Sequence, residues 1–161
     1  MKKRYFVLLM LVCLTLALLG GCFFEKEKEY SKAGMTRTLT TKFTEKELAS
    51  QTAYYESTTA LVTALKEEFS LAAGLEKYSL KQYTDAVLSQ NKISAKIDMP
   101  EGKSYYSFSY EKTMSGKTYY YFATTFKAKD AFWLIQFACT TANKEKLQDN
   151  FTKWADSVKF E

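Results

Sequence analysis

Phe132 to Thr141 of this chain reads FWLIQFACTT, and this stretch decides the fold. Side chains alternate between the two faces of a strand, so its apolar residues would fall on both faces. A strand that is apolar on both faces belongs in the interior of a sheet that is covered on two sides. The stretch therefore predicts a central strand, and the rest of the chain must supply layers on both faces of its sheet.

The flanking segments complete the C-terminal part of the fold. Ser104–Met114 and Lys117–Lys127 are aromatic strands joined at Ser115-Gly116, which is typical of a tight hairpin turn. Lys129-Asp130 forms the turn into the central strand. After that strand, Asn143 is expected to cap a last helix. The buried stripe of this helix is predicted to consist of Leu147, Phe151, Trp154 and Val158.

Turn and cap signals also divide the region before residue 70. Thr38–Phe43 is β-branched and alternating, which predicts a first strand. Thr44 to Glu47 reads TEKE, a capping box that would open a short helix ending near Ser50. Tyr54–Phe69 is apolar on both faces and predicts one interior strand.

The middle of the chain holds one more helix. Ser79 to Gln82 reads SLKQ, a second capping box that predicts a helix over Leu80–Asn91. Ile93–Lys103 is either a connection or an edge strand, and the acidic pair at 67–68 is expected to be solvated. Together these elements predict an α+β fold, with an antiparallel β-sheet of about six strands flanked by helices.

The order of elements and the placement of aromatic residues resemble a known superfamily. Three aromatic strands are followed by a helix containing Phe151 to Trp154 and by the ending Ser157 to Phe160. This pattern resembles the PsbP-like superfamily, which includes DcrB-type and LpqN-type bacterial lipoproteins. The resemblance covers roughly residues 37–161. It implies an α/β/α sandwich and a non-catalytic adaptor or partner-binding role.

The N-terminus predicts export and a lipid anchor. Three basic residues precede an apolar run, Tyr5 to Leu19, and the run ends in Gly20-Gly21-Cys22, which is typical of a secretory signal peptide over residues 1–21. The ending also resembles the lipobox of bacterial lipoproteins, with cleavage between Gly21 and Cys22 and diacylation of Cys22. Two acyl chains, at about 0.8 kcal/mol per buried CH₂, give stable anchoring. The alternative is an uncleaved membrane anchor over Tyr5–Phe24.

Removal of the signal leaves 140 of the 161 residues, enough for one domain with its own core. Residues 22–36, in which Glu and Lys alternate from Glu25 to Glu29, are predicted to be a flexible tether. Residues 37–161 are predicted to be a single α+β domain. The expected location is the extracytoplasmic face of the cell membrane, where the domain is held by its lipid anchor.

Composition argues against an enzyme. The chain has no histidine, so Ser-His-Asp and Cys-His machinery are excluded and a zinc hydrolase is disfavoured. Its glycines form no phosphate-binding loop, and no acid pair has a glycosidase context. We therefore predict no catalytic residue, no metal and no cofactor. The near-neutral mature chain also argues against nucleic acid as a partner. Its second cysteine, Cys139, is expected to be a buried small hydrophobe.

Tyrosine is dense between residues 105 and 137, and two interpretations are open. Tyr105, Tyr119 and Tyr121 are candidates for a partner surface, because exposed tyrosine is favoured at protein contacts. Alternatively, these tyrosines form cross-strand aromatic pairs that stabilise the sheet. Sequence alone does not separate the two.

Two functional classes remain. The first is a binding or adaptor domain whose partner is a protein or an envelope component. The second is a carrier that holds a small apolar ligand in a pocket between sheet and helices. A large cavity lined by Phe108, Phe126 and Trp133 would favour the carrier, whereas a packed core would favour the adaptor.

Overall fold

A computed structural model describes residues 25–161. The predicted signal peptide, its cleavage position and Cys22 lie outside these residues. The described part contains nine strands and two α-helices: β1 (Glu27–Lys32), β2 (Met35–Thr40), β3 (Thr44–Lys46), β4 (Ala53–Glu56), β5 (Ala60–Glu68), α1 (Leu80–Gln90), β6 (Tyr106–Met114), β7 (Lys117–Lys127), β8 (Ala131–Thr140), α2 (Lys144–Asp156) and β9 (Lys159–Phe160). Short 3-10 turns lie at Phe69–Leu71, Leu75–Lys77 and Thr141–Asn143.

The larger sheet has six strands in the order β3-β4-β5-β8-β7-β6, and all its pairings are antiparallel. β8 pairs with β5 on one side and β7 on the other, as its two apolar faces predicted. Ser115 and Gly116 both have positive φ, 50° and 76°, which gives the β6–β7 hairpin its tight turn. The predicted α+β fold is confirmed.

A second sheet, in the order β1-β2-β9, replaces most of the predicted tether. The prediction of a flexible segment over residues 22–36 is wrong from Glu27 onward, so the domain begins before residue 37. The charged side chains of β1 face solvent, while the buried Tyr30 donates its hydroxyl to the carbonyl of Phe43 at 2.8 Å. The alternating Glu and Lys residues therefore belong to an exposed edge strand and not to a tether.

Two predictions before residue 70 are corrected. The capping box at Thr44 opens no helix, because residues 44–46 pair with β4 and the Glu47 carboxylate accepts from Lys32 at 2.8 Å. The predicted single strand over Tyr54–Phe69 is two strands. Its break lies at Ser57, whose hydroxyl oxygen accepts from the amide of Ala60 at 3.0 Å and so stabilises a turn.

The helices agree more closely with the sequence. At the start of α1, the Ser79 hydroxyl accepts from the Gln82 amide at 3.2 Å, and the Ser79 amide donates to the Gln82 side chain at 2.9 Å. This is the predicted capping box. In α2 the buried residues include Leu147, Phe151 and Trp154, whereas the predicted Val158 lies beyond the helix and is half-buried.

Two further segments differ in detail. Asn143 precedes α2, but its side chain makes no capping bond and instead donates to the Thr140 hydroxyl at 3.3 Å. Residues 93–103 form a connection, with one isolated bridge between Asp98 and Ser107. The predicted cap is therefore wrong, and of the two alternatives for residues 93–103 the connection is observed.

Layers of unequal size cover the two faces of the six-stranded sheet. One face packs against α2 and the small sheet in a core rich in aromatic residues, including Phe137, Phe151 and Trp154. The other face packs against α1, which lies mainly over β6, β7 and the start of β8, through contacts such as Tyr83 on Phe132, and meets the end of β5 where Tyr83 donates to Glu67. Much of this second face is therefore left partly open.

Candidate functional site

The part of the sheet that α1 leaves uncovered forms a half-buried surface, which we call the open sheet face. In the strand register its side chains lie next to one another across β4, β5, β8 and β7. The half-buried members are Tyr54, Leu61, Thr63, Leu65, Tyr119, Leu134 and Gln136. The surface combines apolar side chains with amide and hydroxyl groups, a composition that suits contact with a partner.

A polar row crosses the centre of this face. The Gln136 amide donates to the Tyr110 hydroxyl at 2.9 Å, and the Thr63 hydroxyl donates to the Gln136 carbonyl oxygen at 3.4 Å. The Tyr110 ring stacks on Tyr121 with centroids 4.8 Å apart. Burial, with a smaller effect of Tyr121, raises the pKa of Tyr110 to about 12, so its hydroxyl stays protonated at neutral pH.

The three candidate tyrosines do not form one surface. Tyr105 is only 3% exposed, lies on the face covered by α2, and donates to Asp156 at 2.8 Å. Burial first, and then Asp156, raise the pKa of Tyr105 above its usual range. Tyr121 is 9% exposed and paired with Tyr110, while Tyr119 is half-buried on the open sheet face. The prediction that Tyr105 belongs to a partner surface is therefore wrong. For Tyr121, the alternative prediction of a cross-strand aromatic pair is observed.

A cleft of about 330 Å³ lies at the edge of α1, between β5 and the segment 69–78. We call it the Glu67 cleft, because Glu67 is the charged residue among those that line it. The lining consists of Glu67, Ala72, Ala73, Gly74, Leu75, Tyr78, Tyr83, Ala86, Val87 and Gln90. Concave sites with an apolar lining and a few placed polar groups are where small groups bind.

One hydrogen bond from Tyr83 holds the Glu67 carboxylate in place in this cleft. Tyr83 donates its hydroxyl to the Glu67 carboxylate, and the Tyr83 ring stacks on Phe132 with centroids 4.3 Å apart. Burial, followed by the hydrogen bond to Glu67, raises the pKa of Tyr83 above its usual range. The sequence predicted a solvated acidic pair, but both acids are half-buried; Glu68 pairs with Lys66, whereas Glu67 faces the cleft. Strand alternation was the available signal, since it turns the two acids to opposite faces.

The aromatic residues named for a carrier cavity do not line one space. Phe108 belongs to the core cluster beneath α1, whereas Phe126 and Trp133 belong to the cluster on the opposite face. Phe126 and Trp133 both contact Phe160, at centroid distances of 5.4 and 5.5 Å. These side chains therefore fill the core.

Three remaining features bear on the predicted chemistry. Cys139 is buried, and this burial raises the pKa of its thiol, which agrees with a role in packing. Within residues 25–161 there is no group of three or more His, Cys, Asp or Glu that could hold a metal ion. Neither helix of the described region is long and apolar enough to cross a membrane.

The architecture is a PsbP-like α+β fold. Neither a family model nor a curated protein matches the sequence. Solved structures do match: the cyanobacterial PsbP (CyanoP) of Synechocystis sp. PCC 6803 is 12% identical with a TM-score of 0.55, and the match covers 88% of this chain and 96% of that one. The Ran-binding protein Mog1p of Saccharomyces cerevisiae is 9% identical with a TM-score of 0.55, and the match covers 84% of this chain and 96% of that one.

LpqN of Mycobacterium tuberculosis, described as involved in cell envelope biogenesis, is 9% identical with a TM-score of 0.52. That match covers 83% of this chain and 89% of LpqN. At this level of identity the likeness concerns the fold. The sequence-based expectation of a PsbP-like fold is thus confirmed, and the likeness extends no further than the fold.

Proposed function

We propose that this chain is a membrane-anchored extracytoplasmic lipoprotein whose domain binds a partner without catalysis. The observation that carries the proposal is the open sheet face, where α1 leaves apolar and polar side chains of four strands half-buried. The neighbours of the same fold, which include a Ran-binding protein, are consistent with a domain that is not an enzyme. We expect the partner to be a protein or an envelope component and not nucleic acid.

The proposed anchor would hold the domain close to the bilayer. β1 begins at Glu27, so only four residues, 23–26, separate it from Cys22. The five steps along the chain from Cys22 to Glu27 span at most about 18 Å when fully extended. The partner is therefore expected within the membrane or near its surface.

Acyl labelling and intact mass test the anchor. Replacing Cys22 with serine is expected to abolish both acyl labelling and the mass increase of the diacyl group, because no acyl chain can then be attached. Cys13→Ser is the matched control and should change neither quantity. An intact mass equal to the unprocessed 161-residue chain would contradict the proposal and favour an uncleaved anchor over residues 5–24.

Photocrosslinking in intact cells tests the binding surface. A photoreactive residue in place of Thr63 lies at the centre of the open sheet face and is expected to give a discrete adduct. The same residue in place of the exposed Thr113, near the β6–β7 turn, is the control and should give none. Equal labelling from both positions would show that the open sheet face is not a specific contact.

The second candidate, a carrier of a small apolar ligand, is supported by the Glu67 cleft, which lies between sheet and helix. However, an entirely apolar ligand would cover a carboxylate without pairing it, which costs free energy. Native mass spectrometry of the full chain in detergent tests this function. A stoichiometric apolar ligand would favour the carrier over the adaptor.

A further inference from the structure

The Glu67 carboxylate carries a charge that nothing within residues 25–161 balances. Glu56 and Glu68 are likewise half-buried, and each forms an ion pair with a lysine, at 2.5 and 3.4 Å respectively. Glu67 forms no ion pair with any described residue, and its one hydrogen bond comes from the neutral Tyr83. A half-buried carboxylate in this position favours a cationic partner.

Lys127, on the same face of the sheet as Glu67, does not supply that cation. Lys127 lies two strands from Glu67, and in the strand register Phe132 separates them. Its ammonium donates to the carbonyls of Glu76 and Tyr78, at 2.9 and 2.7 Å, and lies over the Phe132 ring at 5.1 Å. Lys127 therefore binds the segment 69–78 to the sheet through these two carbonyls.

Apart from Gln90 and two tyrosines, the other side chains that line the cleft are apolar, and so is Leu71 at its rim. Alanines 72, 73 and 86, together with Leu75 and Val87, line the walls. Leu71, next to these walls in the segment 69–78, is 82% exposed, and Tyr78 is also exposed. A ligand that matches this arrangement has one positive charge at the end of an apolar stem and continues into a larger body over the rim.

The hydrogen bond from Tyr83 distinguishes between the two common cations of proteins. It takes one of the two acceptor positions on Oε2, so Oε1 is the oxygen left entirely to a ligand. An arginine guanidinium binds best in a fork to both oxygens, whereas a lysine ammonium is a compact point charge that one oxygen suits.

We propose that the Glu67 cleft binds a lysine side chain of a protein partner, with the ammonium on Glu67 and the stem along the alanines and Val87. This inference rests on the proposed partner-binding function and names the chemistry of one contact. The exposed Leu71 and Tyr78 would meet the partner surface around that lysine. The cleft is thus a recognition pocket at the edge of the domain, separate from the open sheet face.

The first experiment measures the pocket directly in the full chain in detergent micelles. The probe is N-acetyl-lysine methylamide, followed by NMR of the methyl groups of alanines 72, 73 and 86. Saturable shifts are expected with the lysine probe and about tenfold weaker binding with N-acetyl-norleucine methylamide, which lacks the charge. Equal binding of the two probes would overturn the proposal.

Variants separate charge from shape. Glu67→Gln keeps an oxygen that can accept from Tyr83 and is expected to weaken lysine binding about tenfold. Glu68→Gln is the matched control on the opposite face of β5 and should leave binding unchanged. Ala86→Leu fills the cleft without changing any charge and should also prevent binding. Retention of full affinity in both Glu67→Gln and Ala86→Leu would place the probe elsewhere and overturn the inference.

Photocrosslinking in cells distinguishes a failure of this inference from a failure of the proposed function. A photoreactive residue in place of Leu71 is expected to give an adduct that Glu67→Gln reduces at least fivefold, while the adduct from position 63 persists. If the adduct from position 63 persists but the Leu71 adduct does not depend on Glu67, the lysine contact is wrong and partner binding stands. If the probe binds the pocket but neither position gives an adduct, the pocket takes a free amine. In that case both the protein partner and the proposed function are wrong.

Discussion

Replacing Arg37 with methionine is expected to raise the free energy of unfolding by about 1–4 kcal/mol. Arg37 lies on β2 between the two sheets and is fully buried. None of its three guanidinium nitrogens has a hydrogen-bond partner within residues 25–161. Removing a charge from water costs several kcal/mol, and here no carboxylate contact within the described residues offsets that cost.

One favourable contact works against this gain. The Arg37 guanidinium lies over the Tyr55 ring, 4.6 Å from its centroid, and a desolvated contact of this type stabilises by about 2 kcal/mol. Burial lowers the pKa of Arg37 to about 10, while Tyr55 and Glu45 partly raise it, so the charge persists at neutral pH. Methionine has a similar length and packs well on aromatic rings, so the variant replaces the cation–π contact with a sulfur–aromatic contact on Tyr55 and removes the buried charge.

Chemical denaturation followed by tryptophan fluorescence measures the change. Tyr55→Phe is the companion variant, because the Tyr55 hydroxyl is also buried without a partner within the described residues. It is expected to gain about 1 kcal/mol. A loss of more than 1 kcal/mol in Arg37→Met would contradict the prediction. It would mean that Glu45 leaves its 2.8 Å contact with Lys32 to pair with Arg37 in solution.

Elements whose sequence pattern is local and strong were predictable. The two apolar faces of β8 placed it in the centre of the sheet, and the stripe of Leu147, Phe151 and Trp154 placed α2 on its face. The capping box at Ser79 set the start of α1 correctly. In each case the signal lies within one turn or one strand, where propensity and burial agree.

The same reasoning failed where a distant partner decides the structure. Thr44 to Glu47 has the letters of a capping box, yet no apolar helical stripe follows it and β4 offers a ladder instead. The charged residues of β1 led to the prediction of a tether, because Tyr30 is the one residue of this strand that is buried. Their strand exists because β2 pairs along its whole length.

The candidate site was less predictable than the fold. The open sheet face depends on how far α1 extends across the sheet, which no local pattern records. The Glu67 cleft brings together β5, the segment 69–78 and α1, and its one ionisable contact joins residues 67 and 83. Tyr105 was chosen from the density of tyrosine, but density does not determine which face of a strand is covered.

Truncating Phe151 to alanine is expected to lower the free energy of unfolding by about 3–5 kcal/mol. Phe151 is fully buried, and its ring contacts Phe137 at 5.9 Å, Trp154 at 5.7 Å and Tyr120 at 6.3 Å. The loss combines the transfer free energy of the ring with a cavity that these large neighbours fill only in part. Domains of this size have about 5–15 kcal/mol in total, so much of the stability would be lost.

The same denaturation experiment includes two controls on α2. Thr152→Ala, at the exposed neighbouring position, should stay within about 0.5 kcal/mol of the parent. Phe151→Leu should lose less than Phe151→Ala because it leaves a smaller cavity. A loss below 1 kcal/mol for Phe151→Ala would show that α2 is not part of the cooperative core.

The shape of the transition carries further information, because α2 joins the two sheets. Phe151 packs on β8 through Phe137, while Trp154 contacts Phe43, the residue that follows β2 by three positions, at 5.1 Å. If the sheets unfold together, Phe151→Ala shifts the midpoint and leaves the denaturant slope unchanged. A lower slope with two transitions would show that the two sheets unfold separately. If the small sheet, with its buried Arg37, unfolds first, Arg37→Met should stabilise that first transition alone.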